Sequence, residues 1–152
     1  PRMLNAHLVL HRPASADVTE VALLHPQADA LVTRWTTAWD DDGLAPWIVR
    51  TSEHGPIIGT GGVLRVDGHW LLGWRLLDAV LPSARVTAEY ALQLSRRAIA
   101  AARRLRPDLP IVLLTSSAAE VSVAERLGLA PTARDSHVYA DRALRDVIVT
   151  AA

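Results

Sequence analysis

The sequence predicts an α/β (α+β) fold with a mixed, mostly antiparallel central sheet flanked by helices. Two strand-like runs, residues 57–66 and 69–77, are joined by an Asp-Gly pair, the strongest short-range signal for a hairpin. Residues 83–105 then show a helical period, with alanine and leucine at i, i+3 and i+4. Residues 111–115 form a continuous apolar run, typical of a strand buried on both faces. Because the helix crosses between two strands, we expect those strands to be parallel.

The elements before the hairpin follow from periodicity and from the residues that interrupt it. We expect a strand at 6–12, helices at 15–24 and 28–39, and a strand at 47–51. The run Asp40-Asp41-Asp42-Gly43 is typical of a loop between the second helix and the second strand.

The elements after residue 115 complete the domain. We expect a helix at 118–127, begun by Ser117 and ended by Gly128, and closing strands at 138–140 and 147–149. No linker, repeat or low-complexity tract divides the chain, so residues 1–152 are expected to form one domain.

The composition excludes several classes of function. The formal net charge is zero, so we expect neither a nucleic-acid nor a membrane partner. No apolar run approaches the ~18 residues of a membrane-spanning helix, and the first residues lack a secretory pattern. We therefore expect a cytoplasmic protein.

Three residue types further limit the chemistry. Cysteine is absent, which excludes disulfides, thiolate metal sites and a cysteine nucleophile. All 16 basic residues are arginine, so no lysine can act as a nucleophile or form a Schiff base. The six histidines lack the spacing of metal-binding motifs, and we expect no metal.

The loop before the helix at 83–105 is a candidate anion site. The N-terminus of a helix offers free backbone N–H groups and the positive end of the helix dipole. Arg85 would lie in the first turn, where a cation costs about 0.3–1 kcal/mol when no anion is bound. A phosphate would reverse that cost; alternatively, Arg85 simply points into solvent.

Four segments resemble, in order and spacing, the GNAT superfamily of N-acetyltransferases. They are IGTGGV at 58–63, LGWRL at 72–76, TAEYA at 87–91 and VAERLGL at 123–129. The resemblance runs from about residue 6 to residue 139. It is strongest to the branch that contains the ribosomal-protein N-terminal acetyltransferases.

This resemblance implies a GNAT fold, with the sheet splayed between the fourth and fifth strands, and acetyl-CoA as co-substrate. Backbone groups near Leu76 and Leu77 would hold the pantetheine arm in the splay. The pyrophosphate would lie against the loop and first turn of the long helix, at Ser83, Ala84, Arg85, Val86 and Thr87, with Ser117 as a further cofactor contact. The partners implied are an acyl-CoA and an amine, which is a small molecule or a protein or peptide N-terminus.

Acetyl transfer by direct attack requires a base that removes a proton from the amine. Glu53, Asp67, His69 and Asp78 are the candidates near the central strands, and we select Glu53 and Asp78, with Ser117 as a further catalytic candidate. Asp67 also fits a turn residue.

The two tryptophans before the acidic run are candidates for substrate binding. Trp35 and Trp39, beside residues 40–42, could attract and stack a cationic amine. The alternative is a solvated acidic loop beside two core tryptophans.

The sequence also departs from the family pattern. Ser83-Ala84-Arg85 stands where the family has Gly-x-Gly, Ser117 and Glu120 stand where it has asparagine and serine, and Ala124 replaces a tyrosine that serves as general acid in some members. These departures favour an alternative function, a catalytically degenerate GNAT-fold binding or regulatory module. An unrelated α/β protein is a third reading, and the C-terminal strand offers an edge through which a homodimer could form.

Overall fold

The computed structural model describes residues 8–77, 81–133, 135–142 and 144. In this part of the chain the strands are Val9–His11 (β1), Trp47–Arg50 (β2), Ile57–Val66 (β3), His69–Leu76 (β4), Ile111–Leu114 (β5), Ala130–Pro131 (β6) and Val138–Ala140 (β7). The α-helices are Val18–Val21 (α1), Ala28–Asp42 (α2), Ala84–Leu105 (α3) and Ala118–Arg126 (α4), and Ser15–Asp17 forms a 3-10 turn before α1.

These strands form one sheet in the order β1-β2-β3-β4-β5-β7-β6. β4 and β5, which α3 connects, run parallel, and the other neighbouring pairs are antiparallel. The predicted fold class is therefore confirmed: a mixed, mostly antiparallel sheet flanked by helices.

Small residues allow α3 to lie close to the sheet. The helix buries three alanines, Ala91, Ala98 and Ala102, and a Cβ at Gly61 of β3 would lie 2.5 Å from Leu94 Cδ2. Glycine at position 61 therefore leaves room for the leucine side chain. This packing fixes α3 against β3.

The hairpin and α4 are confirmed as predicted. β3 and β4 pair without a register shift along the whole of β4, and Asp67 occupies the turn with a φ of 49°. Ser117 Oγ accepts a hydrogen bond from the N–H of Glu120 at 3.2 Å, and Gly128, with a φ of 82°, follows the end of α4. Left-handed backbone of this kind favours glycine after a helix.

The single helix predicted at 15–24 is wrong in its extent. The chain instead forms the turn Ser15–Asp17, the short helix α1, and further turns up to Leu24. The Leu24 carbonyl accepts a hydrogen bond from Arg75 Nη1 at 2.7 Å instead of continuing a helix. Pro26 also disfavours helical backbone at the residue before it.

The acidic run at residues 40–42 belongs to α2, so the loop predicted there is wrong. α2 continues through Asp42 and ends at Gly43, whose φ is 74°. Asp42 Oδ1 lies 3.7 Å from Arg65 Nη1. The hydrophobic period stops at Trp39, but the helix ends only where a glycine can take the left-handed conformation.

The two strands predicted near the ends of the chain have different outcomes. The strand at 6–12 is observed as Val9–His11, and the strand at 147–149 lies outside the described residues. Among the helices described, none combines the length and apolar character needed to cross a bilayer.

His69 is a buried histidine that should make stability depend on pH. Its side chain is fully buried, and neither ring nitrogen has a hydrogen-bond partner among the described residues. Burial lowers its pKa, and the charge of Asp67 partly offsets this shift. The folded protein therefore keeps His69 neutral at pH values where the unfolded chain binds a proton, below about 6.5.

The free energy of unfolding is therefore expected to fall as the pH decreases below about 6.5, by up to about 1.4 kcal/mol per pH unit for each such histidine. His69→Leu should flatten this decline when urea unfolding is compared at neutral and mildly acidic pH. His54→Gln, at an exposed histidine, is the control and should leave the slope unchanged. An unaltered slope in His69→Leu would contradict the assignment.

Candidate active site

The parallel strands β4 and β5 separate partway along β4. Their pairing begins at Trp70 with Ile111 and ends at Leu72 with Leu113. β4 then continues to Leu76 without a partner on that side, whereas β5 ends at Leu114 and pairs with β7 along its other edge. A gap therefore opens in the sheet beside the last part of β4, beyond its pairing with β5.

Two backbone N–H groups of β4 point into this gap. Successive residues of a strand direct their N–H groups to opposite edges. The Trp70 N–H donates to the residue before β5 at 2.9 Å, whereas the Leu77 N–H donates to a carbonyl of β3 at 2.7 Å. Because the β3–β4 register is unbroken between them, the N–H groups of Trp74 and Leu76 lie on the β5 side. The Leu77 N–H, by contrast, is already used within the sheet.

The N-terminus of α3 follows the open end of β4. Ser83 caps this helix, with its Oγ accepting from the Val86 N–H at 3.2 Å and its carbonyl accepting from the Thr87 N–H and Oγ1. The N–H groups of Ala84 and Arg85 have no hydrogen-bond partner within the described residues. The side chain of Arg85 is exposed, and the first turn contains no acidic residue.

A cleft of about 330 Å³ adjoins the point where β4 and β5 separate. Its lining comes from β3, β4, β5, α2 and the segment between α1 and α2. The lining residues include Thr60, Gly73, Arg75, Leu114, Trp35, Arg34 and His25. Thr60 and Arg75 are direct neighbours across the β3–β4 pair, so their side chains lie on the same face of the sheet. That face is the one covered by the segment between α1 and α2.

His25 is the titratable group in this cleft whose properties suit a base. One of its ring nitrogens, Nε2, lies 2.9 Å from Thr60 Oγ1, and its ring meets the Trp35 ring edge to face at 5.6 Å. Burial lowers the pKa of His25, and the positive charge of Arg75 lowers it further. The imidazole is therefore neutral near pH 7. If Nε2–H donates to Thr60, then Nδ1 carries a lone pair that can accept a proton.

Arg75 is held in place by the chain on the opposite side of the cleft. Its Nη1 donates to the Leu24 carbonyl at 2.7 Å, which leaves Nε and Nη2 without a partner among the described residues. Arg34, on the exposed side of α2, makes no hydrogen bond or ion pair with any described residue. Two guanidinium groups thus face the cleft with donors available.

Of the predicted catalytic residues that the structure describes, Glu53 and Ser117, neither lines this cleft. Glu53 is an exposed residue of the β2–β3 turn and lines a separate depression with His11 and Arg50. Asp78 lies outside the described residues. The other carboxylate considered, Asp67, is at the hairpin turn, which is the opposite end of β4 from the gap.

Ser117 acts as the cap of α4 in this structure. Its Oγ accepts from the Glu120 N–H, and the Glu120 carboxylate in turn accepts from the Ser116 N–H at 2.8 Å. The hydroxyl of Ser117 therefore has a structural role, and its predicted roles in catalysis and cofactor binding stay predictions.

Of the two tryptophans predicted to bind substrate, only Trp35 lines the cleft. The indole N–H of Trp39 donates to the Pro46 carbonyl at 2.9 Å, and the Arg12 guanidinium stacks 4.6 Å from the centre of its ring. Trp39 lies one helical turn further along α2, where these contacts hold it away from the cleft.

His25 is the residue that the sequence reasoning missed. In the sequence, His25 lacks metal-binding spacing and lies far from the central strands, and Pro26 marks its segment as a break between two helices. The available signal was its position, since His25 and Pro26 connect the first two helices and the second of these carries Trp35, a predicted substrate contact. Among the described residues, no three histidine, aspartate or glutamate side chains are grouped as metal ligands.

Comparisons with known proteins agree on the fold. No protein-family model matches the chain, and a search of curated proteins gives no match. Among solved structures, a Bordetella pertussis protein assigned to the GNAT-family acetyltransferases superposes with a TM-score of 0.65 at 19% identity, over 88% of this chain and 92% of its own. A Salmonella typhimurium protein assigned as an acetyltransferase, solved with acetyl-CoA, gives 0.58 at 17% identity, over 82% and 80%.

The ribosomal-protein branch is one neighbour among several. The ribosomal-protein-S18-alanine N-acetyltransferase from Escherichia coli gives a TM-score of 0.59 at 11% identity, over 94% of this chain and all (100%) of its own. Identities this low establish the fold and do not distinguish branches. The chain therefore has the fold of the GNAT acetyltransferases, with the sheet opened between β4 and β5.

Proposed function

We propose that this protein is an N-acetyltransferase that transfers an acetyl group from acetyl-CoA to a primary amine by direct attack. The observation that carries this proposal is the gap between β4 and β5. Its wall offers the N–H groups of Trp74 and Leu76, which have no partner among the described residues, and it adjoins a cleft that contains the neutral His25. A backbone donor and a base on either side of one opening suit acyl transfer to an amine.

The residues of the gap fit an acyl-CoA. An extended pantetheine arm carries amide groups, which can pair with strand N–H groups such as those of Trp74 and Leu76. At the end of β4, the free N–H groups of Ala84 and Arg85 and the dipole of α3 suit a pyrophosphate. The Arg85 guanidinium adds a charge-assisted donor in the place where a glycine would give closer backbone approach. When bound, acetyl-CoA supplies the activated acetyl thioester.

His25 is the proposed general base. A primary amine is protonated at neutral pH and must lose a proton before it can attack a carbonyl. His25 is neutral because it is buried beside Arg75, so its Nδ1 can accept that proton directly or through a water molecule. The hydrogen bond to Thr60 and the contact with Trp35 fix the orientation of the ring. Positioning of the two reactants in the gap and the cleft supplies the remaining acceleration.

Several other features belong to the same proposal. The acceptor is a small amine or a peptide N-terminus, and the ribosomal-protein branch is the proposed nearest group. We also propose that residues 1–152 form one catalytic domain that acts in the cytoplasm and that two copies can form a homodimer. Sedimentation of the purified chain tests the last point.

Calorimetric titration with acetyl-CoA tests the proposed cofactor site. We expect a dissociation constant in the micromolar range, weakened about tenfold in Arg85→Ala because one hydrogen bond to a charged group is lost. Arg96→Ala is the matched control, since Arg96 is another exposed arginine of α3, further along the helix. The absence of binding up to millimolar acetyl-CoA would overturn the acetyltransferase proposal.

A second candidate is a GNAT-fold module that binds an acyl-CoA without catalysis. Arg85 in the first turn of α3 and the capping role of Ser117 favour this alternative, because both differ from the family pattern. Binding of acetyl-CoA without CoA release across a broad amine panel would support it.

A further inference from the structure

We infer that the acceptor is a small amine that also carries a carboxylate, as an amino acid does. The inference deepens the proposed function and rests on it. It starts from the charges around the cleft that adjoins the β4–β5 gap. Two arginines, Arg34 and Arg75, line this cleft, and none of the described residues that line it is an aspartate or glutamate.

This charge pattern disfavours an acceptor that is only a cation. An alkylamine or polyamine in its protonated form would meet two positive charges and no carboxylate from the described lining residues. His25 adds no negative charge, and the acidic run at the end of α2 is absent from the lining. An acceptor with its own carboxylate cancels this repulsion and gives the arginines a partner.

The geometry of Arg75 suits a carboxylate in particular. Because Nη1 is fixed by the Leu24 carbonyl, the guanidinium has a set orientation. The Nε–H and the Nη2–H remain, and together they form the side of the guanidinium that binds both oxygens of a carboxylate. Arg34, without a hydrogen bond or ion pair to any described residue, can close over the same group.

The rest of the cleft defines a small, partly apolar acceptor. A volume of about 330 Å³ suits a single small molecule, and it lies at the low end of ligand pockets, about 300–1,000 Å³. Trp35, Leu31 and Leu64 contribute apolar surface. An amino acid with an aliphatic or aromatic side chain matches this combination of two arginines and apolar walls.

Matched acceptors provide the test, with CoA release measured at saturating acetyl-CoA. Leucine is compared with leucinamide and isopentylamine, and phenylalanine with phenethylamine, so that only the carboxylate differs within each set. We expect kcat/KM to be about tenfold or more higher for the carboxylate member. Equal or faster turnover of the decarboxylated amines would overturn the inference and leave the proposed function standing.

Variants at Arg34 connect the preference to the cleft. Arg34→Gln should raise KM for leucine about tenfold, with kcat little changed, and should lower KM for isopentylamine because one of the two repelling charges is removed. Arg34 makes no hydrogen bond or ion pair with any described residue, so the variant is expected to fold, and Arg96→Gln is the control. Arg75→Lys, which keeps the charge but loses the two-donor side, should also raise KM for leucine, with melting temperature measured in parallel.

The failures of the two proposals can be told apart. If calorimetry detects no acetyl-CoA binding, the proposed function fails and the inference fails with it. If acetyl-CoA binds and amines without a carboxylate are acetylated while carboxylate-bearing amines are not, the inference alone is overturned. An unchanged leucine KM in Arg34→Gln also contradicts it.

Discussion

Replacing His25 with glutamine is expected to lower kcat for acetyl transfer by about 10²–10⁴-fold, the usual contribution of a general base. Glutamine keeps a hydrogen-bonding group near Thr60 Oγ1 but cannot accept a proton at neutral pH. The affinity for acetyl-CoA should not change, because His25 lines the cleft and makes none of the contacts proposed for the cofactor. Steady-state rates and calorimetry on the same variant separate these two effects.

The pH profile identifies the base more sharply than the rate alone. The pKa of His25 is lowered by burial and by Arg75, so it lies below the ordinary value of about 6.5. In the wild-type protein kcat should fall when the pH decreases through this pKa, and the variant should lose that limb. His54→Gln, at an exposed histidine, should behave as the wild type. Full activity in His25→Gln would exclude His25 as the base.

Trp70→Ala should be the most destabilising of the substitutions considered, with a cost of about 3–5 kcal/mol. Trp70 is fully buried and is among the largest such side chains of the core. It also forms the first β4–β5 pair, where the two strands are still joined. For a chain of this length the loss corresponds to a decrease in melting temperature of roughly 6–20 °C, measurable by calorimetry.

Trp70→Phe separates packing from hydrogen bonding at the same position. The indole Nε1 of Trp70 has no hydrogen-bond partner among the described residues, so phenylalanine removes an unsatisfied donor and keeps most of the apolar volume. We expect a cost below about 2 kcal/mol. A loss in Trp70→Phe as large as that in Trp70→Ala would show that ring volume is not what the site requires.

The order of elements could be predicted from the sequence because local signals specified it. The Asp-Gly pair fixed the β3–β4 hairpin, and the long apolar stripe of α3 followed by an apolar run required a parallel pair. The gap between β4 and β5 was expected only through the family resemblance. No local pattern states where two strands stop pairing, since this depends on where β5 ends relative to β4 in the assembled sheet.

The side chains of the cleft were less predictable because they depend on distant partners. His25 contacts Thr60, which is 35 positions away, and its pKa depends on Arg75 as well. Trp35 and Trp39 stand at positions i and i+4 of one helix and therefore on the same side of it, so the sequence does not distinguish them. They differ because the Pro46 carbonyl and Arg12 hold Trp39 in another environment.

The alternating direction of the amides along β4 makes the gap tolerant of mutation. Every residue except proline has the N–H that positions 74 and 76 offer, so their side chains can change without altering the donors. A one-residue insertion in β4, by contrast, would reverse the alternation and turn those N–H groups towards β3. The N–H donors on this side of the gap are therefore determined by the path of the backbone. Side-chain substitutions at these positions can alter the adjoining cleft without removing the donors.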